Sequence, residues 1–333
     1  MKILLASDAW PPQVNGVVRT MLTVMRELEA LGHTVVTLTP DQCFTVPCPF
    51  YKEIRLAINP GRSVARVIEE TKPDAIHIVT EGPIGIAARR WCLKHGLRFT
   101  TAYHTRFPEY LAVRYIAPKR FTYALLRRFH APAVRVMVAT ESVRRELAGH
   151  GFHNLAPWGR GVDPSLFDPE LRDQRPEFQR PIFLYVGRVA HEKNLPAFLS
   201  LDLPGSKVIV GEGPALATLQ ARYPDAHFLG KREGGALARA YASADVFVFP
   251  SRTDTFGLVM LEALASGVPV AAYPVPGPLD VLAGSDAGAL DEDLKRAALK
   301  ALELSRSRCR EHALRFTWSA CTRQFLDQLC PAR

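Results

Sequence analysis

The stretch Val246-Phe-Val-Phe-Pro250-Ser-Arg-Thr-Asp254-Thr-Phe-Gly257-Leu-Val-Met-Leu-Glu262-Ala-Leu-Ala-Ser-Gly267-Val-Pro269-Val270 decides the fold. Residues 246–249 are apolar without alternation, which is the pattern of a strand covered on both faces. A polar loop follows, residues 255–257 open a helix over 256–265, and Gly267 with Pro269 closes it before an apolar strand at 268–273. Strand, crossover helix and strand in so short a run form the unit of a parallel sheet. Upstream, apolar runs at 182–186, 207–210 and 227–229 and a helix at 236–243 extend the same alternation. Residues 163–181, rich in Pro, Asp and Arg, separate this half from an earlier copy of the pattern and read as a linker. That earlier copy has strands at 2–7, 34–39, 75–79 and 99–103 and a helix at 83–95. It also has a first helix whose Val18, Met21, Leu22, Met25 and Leu28 recur at helical spacing until Gly32 stops it. The expected fold is therefore α/β, two Rossmann-like domains facing across a cleft, with ligands beyond the carboxyl ends of the strands.

The chain has 333 residues, 47% hydrophobic and 23% charged, enough for two domains with cores of their own. Its six cysteines, at 43, 48, 92, 309, 321 and 330, follow neither a CxxC nor a disulfide pattern and read as reduced structural thiols, with no metal ligand set among them. Asp8 interrupts the N-terminal apolar run too early for a signal peptide, and no stretch approaches the roughly 18 apolar residues of a membrane span. The expectation is a cytoplasmic protein, at most peripheral on the inner face of a membrane. Residues 1–165 hold 22 Lys and Arg against 13 Asp and Glu, whereas residues 166–333 hold 20 against 20, so the whole net charge of +9 lies in the first half. Such a surplus attracts phosphate, in nucleic acid or at an anionic membrane surface. No helix-turn-helix, RNP signature or aromatic-basic repeat accompanies it, so nucleic acid is set aside. Residues 119–130 mix basic and apolar side chains, and an interfacial helix and an ordinary amphipathic surface helix both fit them.

Three loops carry candidate chemistry. Residues 8–17 lead from the first strand to a helix N-terminus, where an anion site and a plain strand-to-helix turn are both open. No GxGxxG or GxxxxGK[ST] is present, which argues against a dehydrogenase and a P-loop enzyme. Arg188 directly follows a strand and Lys193 lies five residues on, a fork and a point charge suited to clamping a diphosphate and stabilising it as it departs. Asp254 precedes the decisive helix and Glu262 lies two turns into it, so they reach different parts of one elongated ligand. The helix around Glu262 is apolar nearly all round, and a carboxylate there needs a partner, for which a ribose diol would serve.

Asp254 and Glu262 resemble the acidic-x7-acidic signature of the retaining glycosyltransferases of the GT-B fold, of the group 1 or family-four type, that use nucleotide-sugar donors. Further motifs of that family follow in order: Pro11-Pro-x-x-Asn15-Gly16-Val17, Tyr103-His104-Thr105, Gly159-Arg-Gly-Val-Asp163, Val186-Gly187-Arg188 with Lys193, Gly211-Glu-Gly-Pro214, and Tyr241-Ala-x-Ala244-Asp245. The resemblance spans roughly residues 1 to 282. It implies a hexosyltransferase that moves mannose or glucose from a nucleotide-diphosphate sugar, GDP-mannose foremost, to a lipid or saccharide acceptor, without a metal or other cofactor. By the same resemblance Asn15 and Gly16 touch the donor diphosphate, His104 lies beside the transferred sugar, and Arg188 with Lys193 forms the diphosphate clamp. Asp254, with the backbone at Thr255, Phe256 and Gly257, would grip sugar hydroxyls and phosphate; Glu262 would hold the ribose, and Gly211 and Lys231 would flank the nucleoside. The division expected is 1–165 for the acceptor, 166–312 for the nucleotide sugar, and 313–333 as a helix crossing back to the first domain. Two departures from the family stand out. Asp254 replaces the usual Glu, and the region after Leu282 runs from Gly284-Ser-Asp-Ala-Gly288 into a helix at 292–304, where family members usually have another strand. A GT-B sugar-nucleotide epimerase and a non-catalytic nucleotide-sugar-binding module are the rival readings.

Overall fold

The computed structural model describes the chain except residues 14, 49, 50, 110–117, 174 and 176, with residues 51–53 described by their backbone. The chain divides into two compact units, Met1–Gly159 with Trp318–Arg333, and Arg160–Thr317.

In the first unit β1 (Lys2–Ala6), β2 (Thr34–Leu38), β5 (Ala75–Ile78), β6 (Thr100–Tyr103), β7 (Val136–Val138) and β8 (Leu155–Pro157) form a sheet in the order β2-β1-β5-β6-β7-β8. Every pairing in it is parallel. The two-residue period of a strand sorts β1 between two cores. Ile3 and Leu5 pack with Met21, Val24 and Leu28 of the Gly16–Ala30 helix, whereas Leu4 and Ala6 join Ile76, Ile78, Ile84 and Ala88 on the other face. The first of these cores is completed from the far end of the chain: Cys321 and Phe325 of the Trp318–Gln328 helix pack there beside the fully buried Trp158. Backbone bonds reinforce that return, Ala332 donating to Asp74 O at 2.7 Å and Arg98 to Ala332 O at 2.8 Å. Between β2 and β5 an antiparallel hairpin, β3 (Thr45–Cys48) and β4 (Tyr51–Ala57), appears that apolar patterning does not announce.

In the second unit β9 (Ile182–Val186), β10 (Ser206–Val210), β11 (His227–Phe228), β12 (Val246–Phe249), β13 (Val270–Ala272) and β14 (Gly288–Leu290) form a parallel sheet in the order β11-β10-β9-β12-β13-β14. Its β14 corrects the expectation for the region after Leu282. Gly288, Ala289 and Leu290 do pair with Val270, Ala271 and Ala272, and the helix that follows is Leu294–Ala301. Three residues with a glycine among them are too short to show a period. A second correction concerns residues 163–181. This segment is packed, with Phe167 buried, and Arg310 donates to the carbonyls of Phe167 and Pro164 while its Nη2 meets Asp168 at 3.3 Å. A Pro-rich composition describes the backbone conformation of such a segment, and the arginine that anchors it lies far away in sequence.

All six cysteines are free thiols, four of them buried. Among the described residues no helix is long and apolar enough to cross a membrane, and no group of His, Cys, Asp and Glu could hold a metal ion.

Candidate active site

In a doubly wound sheet the strands either side of the switch in order send their C-terminal loops apart, leaving room for a ligand. In the second unit that switch lies between β9 and β12. The loop after β9 carries Arg188 and Lys193, and the loop after β12 carries Asp254. The structure brings the last two together, with Lys193 Nζ at 2.5 Å from Asp254 Oδ1 and both side chains mostly buried. Two more bonds staple the loops: Asn194 Nδ2 donates to Pro250 O at 3.1 Å, and Thr253 Oγ1 to Glu192 O at 3.4 Å. Asp254 Oδ2 is buried with no hydrogen-bond partner among the described residues, a state that costs free energy until a donor such as a hydroxyl reaches it. Arg188 is half-buried at the start of the same loop, its carbonyl accepting from Tyr185 Oη at 2.9 Å.

The helix after Asp254 begins later than its apolar run suggests, at Leu258, because Gly257 caps it with φ 86° in the left-handed region. A Cβ at Gly257 would stand 2.8 Å from Met260 Cε and 3.0 Å from the Phe249 ring, so the turn that sets Thr255 and Phe256 ahead of the helix requires glycine. Glu262 is 6% exposed on this helix, and its Oε2 accepts from Tyr241 Oη at 2.8 Å. The buried carboxylate thus has a partner within the protein, from the neighbouring Gly234–Ser243 helix. Tyr241 belongs to a quoted motif, but nothing in its spacing from Glu262 marks the pair.

The loops after β9, β10 and β11 stack with almost no side-chain thickness between them. A Cβ at Gly211, where φ is 147°, would lie 1.9 Å from Gly187 O, and one at Gly213 would lie 2.4 Å from Val189 O. Gly211 N donates to Gly230 O at 2.9 Å, and Val189 N to Glu212 O at 2.8 Å, so bare backbone lines this ledge. Lys231, next along, is not drawn to the Lys193–Asp254 pair; it meets Glu233 at 2.9 Å on the surface.

In the first unit the remaining candidates have visible structural duties. Asn15 caps the Gly16–Ala30 helix, its Oδ1 accepting from Val18 N at 3.0 Å, and Gly16 O accepts from Thr20 Oγ1 at 2.7 Å. His104 follows β6, half-buried and edge-on to Trp158 with ring centroids 5.5 Å apart. The switch in this sheet lies between β1 and β5, and there the chain supplies its own carboxyl group. Asp8 Oδ1 accepts from Ile84 N at 2.8 Å, and Oδ2 from Gly85 N at 3.2 Å and Thr80 Oγ1 at 2.9 Å. Asp8 thereby occupies the N-terminus of the Pro83–Lys94 helix and satisfies its unpaired N–H groups. Its carboxyl is held above the ordinary range by burial, against the pull of those donors.

The chain is similar in fold to solved glycosyltransferases. With HepE of Anabaena, solved with UDP and glucose, the TM-score is 0.73 at 15% identity, covering 98% of each chain. The fold is therefore that of the GT-B glycosyltransferases. Residues 14–166 match the model of Glycosyltransferase Family 4, and residues 180–306 that of Glycosyl transferases group 1. A GDP-mannose-dependent alpha-mannosyltransferase of Mycolicibacterium smegmatis is 32% identical over 331 residues, covering 90% of this chain and 87% of that protein. The alpha-monoglucosyldiacylglycerol synthase of Streptococcus pneumoniae is 28% identical over 350 residues, covering 91% and 78%. The chain belongs to this family of group 1, family-four glycosyltransferases.

Proposed function

We propose that this glycosyltransferase moves a mannose- or glucose-type hexose from a nucleotide-diphosphate sugar to a lipid or saccharide acceptor, with retention of the anomeric configuration and without a metal. The observation that carries the reading is the Lys193–Asp254 pair at the sheet's switch point, beside a backbone ledge at Gly211. Arg188 and Lys193 hold the diphosphate and stabilise the charge that grows on it as the bond to the sugar breaks, the work a metal does elsewhere. When the diphosphate engages Lys193, Asp254 is released to the sugar hydroxyls, and the backbone at Thr255, Phe256 and Gly257 meets phosphate. Glu262, oriented by Tyr241, takes the ribose hydroxyls. Gly211 and Lys231 flank the nucleoside. In this reading Asp254 is taken up by the sugar hydroxyls and Glu262 by Tyr241 and the ribose, so neither serves as a nucleophile for double displacement. The acceptor oxygen then bonds to the anomeric carbon on the face the phosphate leaves, and its proton passes to the departing phosphate oxygen. The roles of Asn15, Gly16 and His104 rest on the family resemblance alone.

GDP-mannose is the donor favoured, because the mannosyltransferase of M. smegmatis carries that dependence in its name, while the diacylglycerol-directed relative of S. pneumoniae supports a lipid acceptor. An anionic membrane surface is the proposed partner of the Lys119–His130 helix, which exposes Phe121 at 59% and Leu125 at 52% among its basic residues. Calorimetric titration with GDP, UDP, ADP and their sugar conjugates tests the donor reading, with the Arg188→Ala/Lys193→Ala double variant as control. One nucleotide class should bind, lose its affinity in the double variant, and yield product whose anomeric proton coupling matches that of the donor sugar. Binding without transfer would mark a non-catalytic module, and a changed sugar without acceptor would mark an epimerase. Undiminished binding in the double variant would remove the clamp.

A further inference from the structure

At the opposite ends of the second sheet's strands from Lys193 and Asp254, where β9, β12 and β13 begin, lies an open pocket of about 390 Å³. Its polar wall is Arg172, Arg180, Arg306 and Asp245, and its apolar wall includes Leu302 and Leu304. Three guanidinium groups face a single carboxylate. Asp245 is already saturated: Oδ1 accepts from Arg172 Nη2 at 2.7 Å and Arg180 Nη1 at 2.8 Å, and Oδ2 from Arg180 Nη1 and Ile182 N, each at 2.8 Å. Arg306 is fixed from behind by the carbonyls of Ala244, Ala242 and Ser266 at 2.7, 2.8 and 3.3 Å. These bonds leave the Nε–H of all three arginines and the Nη1 of Arg172 without a partner among the described residues. The crowding registers on Arg306, whose guanidinium is pulled down to about 10 by burial and by the Arg172 cation, with Arg180 adding to it.

We infer that this pocket is a second anion site, separate from the donor site, that takes the phosphate group of a soluble phosphorylated small molecule. The two excess cations match a dianion, guanidinium forks suit phosphate oxygens, and Leu302 and Leu304 offer a surface for the carbon part of the ligand. The volume falls within the roughly 300–1,000 Å³ of small-molecule sites. An anion there joins Arg172 and Arg180, ahead of β9, to Arg306, and so stabilises the unit by binding its folded form.

The test is calorimetric titration of the full chain with inorganic phosphate and with pyrophosphate at matched ionic strength. To separate this site from the donor site, the titration is repeated in Arg188→Ala/Lys193→Ala, where phosphate binding should persist. In Arg172→Ala the affinity should fall about tenfold, the loss of one charge-assisted fork. Leu302→Glu, at a position 37% exposed and tolerant of a polar side chain, should lower it as far by supplying an internal carboxylate to the arginines. Phosphate affinity unchanged in both single variants overturns the inference. So does loss of all phosphate binding in the donor-site variant, or no binding by the native chain.

Discussion

Asp254 places one oxygen on Lys193 and keeps the other buried without a partner among the described residues, so Asp254 competes with a donor diphosphate for Lys193. Asp254→Asn removes the attraction but keeps the shape. It should therefore bind a sugar-free nucleoside diphosphate more tightly, by about threefold to tenfold, because an ion pair that keeps some contact with solvent is worth about 1 kcal/mol. The same variant should lose about a hundredfold in transfer, since the sugar loses a charged contact where charge develops. Titration and turnover measured on one preparation decide it; weaker diphosphate binding in Asp254→Asn would refute the competition. Gly211 makes a steric prediction of another kind. With φ at 147° and a Cβ site 1.9 Å from Gly187 O, Gly211→Ala must push two loops apart. The cost should be about 1–3 kcal/mol in urea unfolding, with donor affinity falling alongside.

Elements were legible where the pattern was long. The strands at 182–186 and 246–249 and the Gly16–Ala30 helix stand where their apolar spacing puts them. What the spacing did not show was short or held by distant partners: β14 with three residues, the β3–β4 hairpin, and the segment ahead of β9 pinned by Arg310. At the candidate site the sequence singled out both loops, but the contact of Lys193 with Asp254 and of Tyr241 with Glu262 was not legible, because side-chain pairing across loops leaves no periodic trace. Asp8 belongs to the same class, a cap supplied from the first strand to the Pro83–Lys94 helix. Its raised pKa makes a prediction for pH. A carboxyl whose folded pKa exceeds its ordinary 3.8 contributes stability that is fully present below pH 3.8 and is lost as the pH rises through the folded value. Asp8→Asn lacks that contribution, so the stability of the native chain minus that of the variant should decline from about pH 4 upward and then level off. Urea unfolding at steps between pH 4 and 7 checks this, and a difference that grows with pH would show that Asp8 is favoured as the anion.

Over the whole molecule the balance of charge is lopsided, 22 basic against 13 acidic residues in positions 1–165 and 20 against 20 beyond, so long-range attraction to anions belongs to the first half. Charge alone gives attraction that salt screens, whereas insertion needs apolar side chains on the same face. The Lys119–His130 helix has both: Thr122, Tyr123, Leu126 and His130 are buried, while Phe121 and Leu125, one turn apart, stand exposed beside Arg120 and Arg128. Vesicles containing anionic lipid should therefore sediment the protein at low salt and release most of it at high salt. Neutral vesicles should retain little. The paired variant Phe121→Ser/Leu125→Ser should weaken partition about tenfold while leaving the charge unchanged, since even partial burial of two such side chains is worth about 1–2 kcal/mol. Arg120→Gln/Arg128→Gln should instead flatten the salt dependence. If the two variants sediment as the native chain does, the helix is an ordinary surface element, and the surplus of positive charge serves some acceptor other than a membrane lipid.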